Sequence, residues 1–236
     1  GQTQYTQPAL YVVNALSYLK KVKEDGKKPN FVAGHSLGEY NALFAAEVFD
    51  FETGLKLVKK RGELMSQATN GGMAAVIGLD EQKGVEILQS ERLKDIKIAN
   101  YNTPTQLVIS GSQDQIKAAQ KDFEVAGARY FILAVSGAFH SKYMVDAGNK
   151  FETILDACIF SPPTIPVISN VTARPYQTEA IKNNLASQIS HSVKWTETIR
   201  YLLGKGDNRI LQVSPGNVLT RLVKTIQNEA EPLIVS

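Results

Sequence analysis

The sequence predicts an α/β protein built on a mostly parallel sheet, with a small β-α-β-β-α-β unit inserted into it. Three observations carry this. Short apolar runs alternate with amphipathic helical stretches along most of the 236 residues, which is the pattern of strands joined by crossover helices. One junction, Phe31-Val32-Ala33 followed by Gly34-His35-Ser36-Leu37-Gly38 and then a helical stretch, has the G-x-S-x-G form between strand and helix. Between residues 71 and 135 the order changes to strand, helix, strand, strand, helix, strand.

The totals set bounds on the function. The chain is long enough for one large domain carrying a smaller one. Apolar residues make up 43% and charged residues 21%, which is ordinary for a globular protein. A net charge of +3 does not point to nucleic acid. No apolar run approaches the roughly 20 residues of a membrane helix, and no leader is read in the polar first seven residues. The single cysteine, Cys158, excludes an internal disulfide and suits a reducing compartment, the cytoplasm. Cysteine and histidine offer no metal-ligand spacing, so neither a metal nor a bound cofactor is expected.

In chain order, Gln7-Pro8 opens the first helix, with proline where its missing N–H costs nothing. Lys20, Lys21, Lys23, Lys27 and Lys28 crowd its end; they form a solvated face or, as the minority reading, a dock for an acidic partner. Residues 31–33 are a buried strand and 39–48 a helix. The tight turn between them exposes the Ser36 hydroxyl, and Gly34 and Gly38 flank it where side chains would collide. The Leu37 amide lies at the helix N-terminus, where unpaired N–H groups favour negative charge.

Asp50 caps a helix over 51–68. Gly54, Val58, Arg61 and Met65 share one row of it, so Arg61 lies on the inward face. Such an arginine either snorkels to the core's edge or waits for an anion, best a carboxylate held bidentately. The inserted unit has strands at 73–79, 96–100, 106–110 and 129–135, and helices at 81–90 and 113–126. This is the ferredoxin-like order, giving a subdomain over residues 71–135 between core segments 1–70 and 136–236.

The core resumes at Ser136-Gly137-Ala138-Phe139-His140-Ser141. His140 is either a surface loop residue or the lining of a cleft where the subdomain rejoins. His35 should point away from Ser36, and His191 reads as a helix C-cap. Strands follow at 165–171, 210–213 and 233–235, with helices at 178–190, 194–204 and 218–227.

Taken together, Thr6-Gln7-Pro8-Ala9-Leu10, Gly34-His35-Ser36-Leu37-Gly38-Glu39-Tyr40, Arg61-Gly62, Gly137-Ala138-Phe139-His140-Ser141 and Val213-Ser214-Pro215-Gly216-Asn217-Val218-Leu219 resemble the malonyl-CoA:acyl carrier protein transacylase family. That family serves fatty acid and polyketide synthases, trans-acting polyketide acyltransferases included. The resemblance runs in order over nearly the whole chain. It implies a hydrolase-like core with a nucleophile elbow, and transfer of a malonyl group from malonyl-CoA to the phosphopantetheine thiol of an acyl carrier protein through a serine ester. It implies Ser36 as nucleophile, His140 as its base and later acid, and Arg61 as the clamp for the malonyl carboxylate. It also implies a backbone carbonyl near Gln188 orienting the histidine, the Leu37 amide as an oxyanion donor, and Phe139 crowding an α-methyl branch. The expected partners are malonyl-CoA and an acyl carrier protein, with neither nucleic acid nor membrane. The family opens on a strand and a G-Q-G-x-Q motif, whereas Gly1-Gln2-Thr3-Gln4 runs almost directly into the first helix, so that strand is expected to be absent from this stretch. An acyl hydrolase on the same scaffold and a non-catalytic docking domain are the alternatives.

Overall fold

The computed structural model describes residues 2–135 and 137–235. Gly1, from the N-terminal run, Ser136, from the junction read as the return to the core, and Ser236 lie outside the described residues.

Helix α1 (Thr3–Asp25) packs along α3 (Phe51–Ser66). It begins before the predicted Gln7, because the Tyr5 and Thr6 amides both bond the Gln2 carbonyl and complete a turn ahead of Pro8. Pro8 therefore lies inside the helix, and Gln7 becomes a buried helical residue. Gly26, at φ 66°, ends the helix in the left-handed region. Helix α3 starts where expected, the Asp50 side chain accepting from the Thr53 amide at 2.7 Å.

Strand β1 (Val32–Ala33) leads through the elbow into α2 (Gly38–Ala45). It pairs in parallel with β6 (Val167–Ile168), Val32 facing Val167 and Ala33 facing Ile168. Around this pair α1, α2, α3, α6 (Val145–Asp156) and α7 (Ile181–Gln188) close a core that includes Tyr40, Leu43, Val58, Phe151 and Ile189.

The expectation of a mostly parallel sheet needs correction. Among the described residues the named parallel ladder is this one pair, and the larger sheet is antiparallel. Residues 210–213 and 233–235 form no strand. The former share with β1 the lining of a cleft of about 490 Å³. Among the described residues no strand pairs with them, and a ladder needs a neighbour. Leu233 and Val235 pack instead against the cluster built by α8 (Trp195–Gly204) and α9 (Val218–Glu229), the Leu233 amide bonding the Arg200 carbonyl at 3.0 Å. Strand β6 is shorter than predicted because Ser169 and Asn170 leave the ladder for a turn and for the site.

The inserted unit runs β2 (Gly71–Ile77), α4 (Glu81–Leu88), β3 (Lys97–Thr103), β4 (Gln106–Ser112), α5 (Gln113–Val125) and β5 (Arg129–Ile132). Its strands stand in the order β3-β4-β2-β5, each pair antiparallel. Leu107, Ile109, Ala119 and Phe123 belong to a core of its own. It is joined to the rest through backbone: the Tyr101 amide bonds the Val193 carbonyl at 2.9 Å, and the Val193 amide bonds the Ala99 carbonyl at 2.8 Å. Among the described residues no helix is long and apolar enough to cross a membrane.

Candidate active site

The elbow is strained where the sequence says it should be. Ser36 has φ 51°, the left-handed region that an L-residue enters at a cost of about 1–3 kcal/mol. Asn170 holds it there: its Oδ1 accepts from the Ser36 amide at 2.7 Å while its Nδ2 donates to the Gly34 carbonyl at 2.7 Å. Gly34 is required, since a Cβ there would lie 1.9 Å from the Gly38 carbonyl carbon. Gly38 is not: a Cβ there meets nothing within 4 Å, because this side of the turn opens onto the cleft. The predicted collision at Gly38 is thus corrected.

The Gly38, Glu39 and Tyr40 amides all find backbone acceptors. Among the described residues the Leu37 amide finds none, which leaves an N–H free at the mouth of α2.

His140 is buried, and its Nε2 lies 2.8 Å from Ser36 Oγ. Its Nδ1 faces two carbonyls, Gln188 at 2.8 Å and His191 at 3.2 Å. A carbonyl only accepts, so Nδ1 carries the proton and Nε2 is left as the acceptor for the serine hydroxyl. No carboxylate is needed to set the tautomer. Burial and then the nearby Arg61 cation push the His140 pKa down to about 3, so the ring is neutral across the physiological range. Its backbone is also left-handed, φ 56°, with the amide tied to the Ile189 carbonyl at 3.2 Å. His35 points away from the serine, to Asn102 Oδ1 at 2.9 Å and edge-on to Trp195. His191 lies over the end of α7, its amide on the Ser187 carbonyl.

Arg61 faces inward rather than snorkelling; it is 1% exposed. One terminal nitrogen donates to Gln7 Oε1 at 2.6 Å, and the other to Gln188 Oε1 at 2.9 Å and Ser36 Oγ at 3.2 Å. Its Nε has no partner among the described residues. A buried cation served by amide and hydroxyl oxygens, with no carboxylate among the described residues touching it, is a site short of an anion.

Phe139 is half-buried and packs between the main core and the Met73–Ala99–Val108 cluster of the inserted unit. Ser36, His140, Arg61, Gln188 and the Leu37 amide converge; Phe139 adjoins them in sequence.

Three residues of the site escaped the sequence reading. Gln7 meets Arg61 because the helix begins a turn early. Asn170 stands at the carboxyl end of a parallel strand, a position that itself marks sites in open α/β sheets. Glu39 shares an inward row with Ala42, Leu43 and Ala46, and is wholly buried. Its Oε1 accepts from the Tyr176 hydroxyl at 2.5 Å and the Asn170 amide at 3.1 Å, and its Oε2 from Gln188 Nε2 at 2.6 Å. Burial raises its pKa to about 7 against the pull of these three donors and of Arg61. An acid on an apolar row was the signal available.

Residues 1–234 match the family described as acyl transferase domain. The chain is 59% identical over 235 residues to the polyketide biosynthesis malonyl CoA-acyl carrier protein transacylase PksC of Bacillus subtilis (strain 168), covering 99% of this chain and 82% of that one. A malonyl CoA-acyl carrier protein transacylase from Burkholderia pseudomallei superposes with a TM-score of 0.94 at 50% identity, over 97% of this chain and 81% of the other. A malonyl-transacylase solved in complex with its type II PKS acyl-carrier protein superposes with a TM-score of 0.89 at 37% identity, over 98% and 76%.

Proposed function

This chain belongs to the acyl transferase domain family, and from that we propose that it is a malonyl-CoA:acyl carrier protein transacylase working through an ester on Ser36. The observation that carries the reading is the fully buried Arg61 fork, 3.2 Å from the Ser36 hydroxyl and without an acidic partner in contact among the described residues. A malonyl group brings the missing carboxylate, and the fork accepts it bidentately. A hydrolase of neutral acyl chains has no use for such a cation.

In the acylation step His140 Nε2 takes the proton from Ser36 Oγ as that oxygen attacks the thioester carbonyl. The oxyanion forms beside the Leu37 amide. As the C–S bond breaks, the proton on Nε2 passes to the departing CoA sulfur. The phosphopantetheine thiol of the carrier protein then attacks the ester, giving its proton to Nε2, and Ser36 Oγ recovers it as it leaves. The steps use these side chains and two thiols, with no resident cofactor or metal. Phe139, beside the base, crowds an α-methyl branch, a discrimination worth about 1–3 kcal/mol.

The same proposal divides the chain into a hydrolase-like core, residues 1–70 and 136–236, and a ferredoxin-like subdomain, 71–135. The strand order β3-β4-β2-β5 supports the latter. CoA thioesters as substrates favour the cytoplasm. Intact mass after brief mixing with malonyl-CoA tests the function. A malonyl-sized increase is expected on the parent and not on Ser36→Ala; no increase on a folded parent, or an equal one on both, overturns the reading.

A further inference from the structure

We propose that Glu39 is a positioning residue for malonyl selectivity: its carboxylate determines which way round the Gln188 amide sits, and thereby the aim of the Arg61 fork. The inference rests on the function proposed above and names a further residue for it.

The two ends of a glutamine amide have nearly the same shape and opposite hydrogen-bonding character. As oriented, Gln188 Nε2 donates to the Ser36 carbonyl at 2.8 Å and to Glu39 Oε2 at 2.6 Å, while Oε1 accepts from Arg61 at 2.9 Å. Turned over, the amide would set its NH2 against the Arg61 cation and its oxygen against a carbonyl and a carboxylate. Glu39 makes the difference large, because a buried carboxylate accepts only and does so strongly. Its surroundings match that state. All three partners within bonding distance donate: Gln188 Nε2, the Tyr176 hydroxyl and the Asn170 amide. A neutral amide at position 39 would turn its own NH2 toward at least one donor, and the easiest relief is to turn Gln188 over.

Gln188 serves two groups by different routes. Its side chain holds Arg61, and its main-chain carbonyl holds His140 Nδ1 at 2.8 Å. Glu39 touches only the side chain. Loss of its charge should therefore fall on the carboxylate clamp more than on the base, which separates this role from general damage to the core.

The experiment is single-turnover acylation of Ser36, read by intact mass at pH 8, with malonyl-CoA and acetyl-CoA, on the parent, Glu39→Gln, Arg61→Ala and the double variant. Glu39→Gln should lower the malonyl-to-acetyl rate ratio by about tenfold, and should lower it no further once Arg61 is alanine. An unchanged ratio in a folded Glu39→Gln, or an equal fall with and without Arg61, overturns the inference. If that variant does not fold, Tyr176→Phe removes one donor from the same carboxylate and keeps the packing. It should lower the ratio about threefold, and an unchanged ratio there overturns the inference equally. A parent that takes up no malonyl group overturns the function and this inference together. A parent that does, beside a Glu39→Gln with the parent's ratio, overturns this inference alone.

Discussion

Three buried titratable side chains pull the stability of this protein in opposite directions as pH changes. His140 has its pKa lowered to about 3 by burial and then by Arg61, against an ordinary 6.5, and burial lowers that of His35 as well. Below 6.5 the unfolded chain binds protons that these native rings refuse, so stability is lost as pH falls. Glu39 runs the other way. Its native pKa is raised to about 7 from an ordinary 4.5, so its contribution is full below 4.5 and is lost as pH rises through 7. His140 and Glu39 oppose each other in the window above 4.5 and His35 tips the balance, which predicts that the melting temperature falls as pH drops below 6.5 and falls faster below 4.5, where Glu39 no longer offsets the rings. His140→Asn should make the decline below pH 6.5 shallower; a variant with the parent's slope would show that the ring is not held neutral. How readable these residues are from sequence follows from the distance to their partners. Ser36 announces itself through its immediate neighbours, and Arg61 through a row within one helix. Glu39 meets Gln188 across 149 positions and Asn170 across 131, and nothing local records either contact.

At the scale of the element, the turn between β1 and α2 makes an asymmetric demand on its two glycines. Gly34→Ala should open the elbow, destabilising the protein by about 1–3 kcal/mol and abolishing the malonyl adduct. Gly38→Ala, with open space around it and helical backbone, should keep the adduct and stabilise by about 0.4–1 kcal/mol. Thermal melts with intact mass on the two variants check both; equal damage from the two would contradict the geometry. The helices were legible because their signal is internal: the Asp50, Asp80 and Ser112 caps each bond an amide three residues on. The antiparallel strands of the inserted unit were legible through their turns. Residues 210–213 show the limit. Their short, mostly apolar run suits a strand, but a strand also needs something beside it, and the sequence of one segment says nothing of its neighbour.

At the scale of the whole molecule, the inserted unit has its own core but is not independent. Besides the two backbone bonds between β3 and Val193, Ser192 Oγ bonds the Ile98 carbonyl at 2.6 Å and Thr196 Oγ1 the Tyr101 carbonyl at 3.1 Å. Asn102 reaches His35 within the elbow. Calorimetry should accordingly find one unfolding transition with matching van't Hoff and calorimetric enthalpies; two resolved transitions would mean that these bonds do not couple the parts. The attachment also reaches the candidate site. The His191 carbonyl lies 3.2 Å from His140 Nδ1, and two residues later Val193 is laced into the sheet of the inserted unit. Residues 191–193 therefore have the sheet at one end and the His140 imidazole at the other. The sheet of the inserted unit and the His140 ring are thus anchored to one three-residue segment and share a frame of reference.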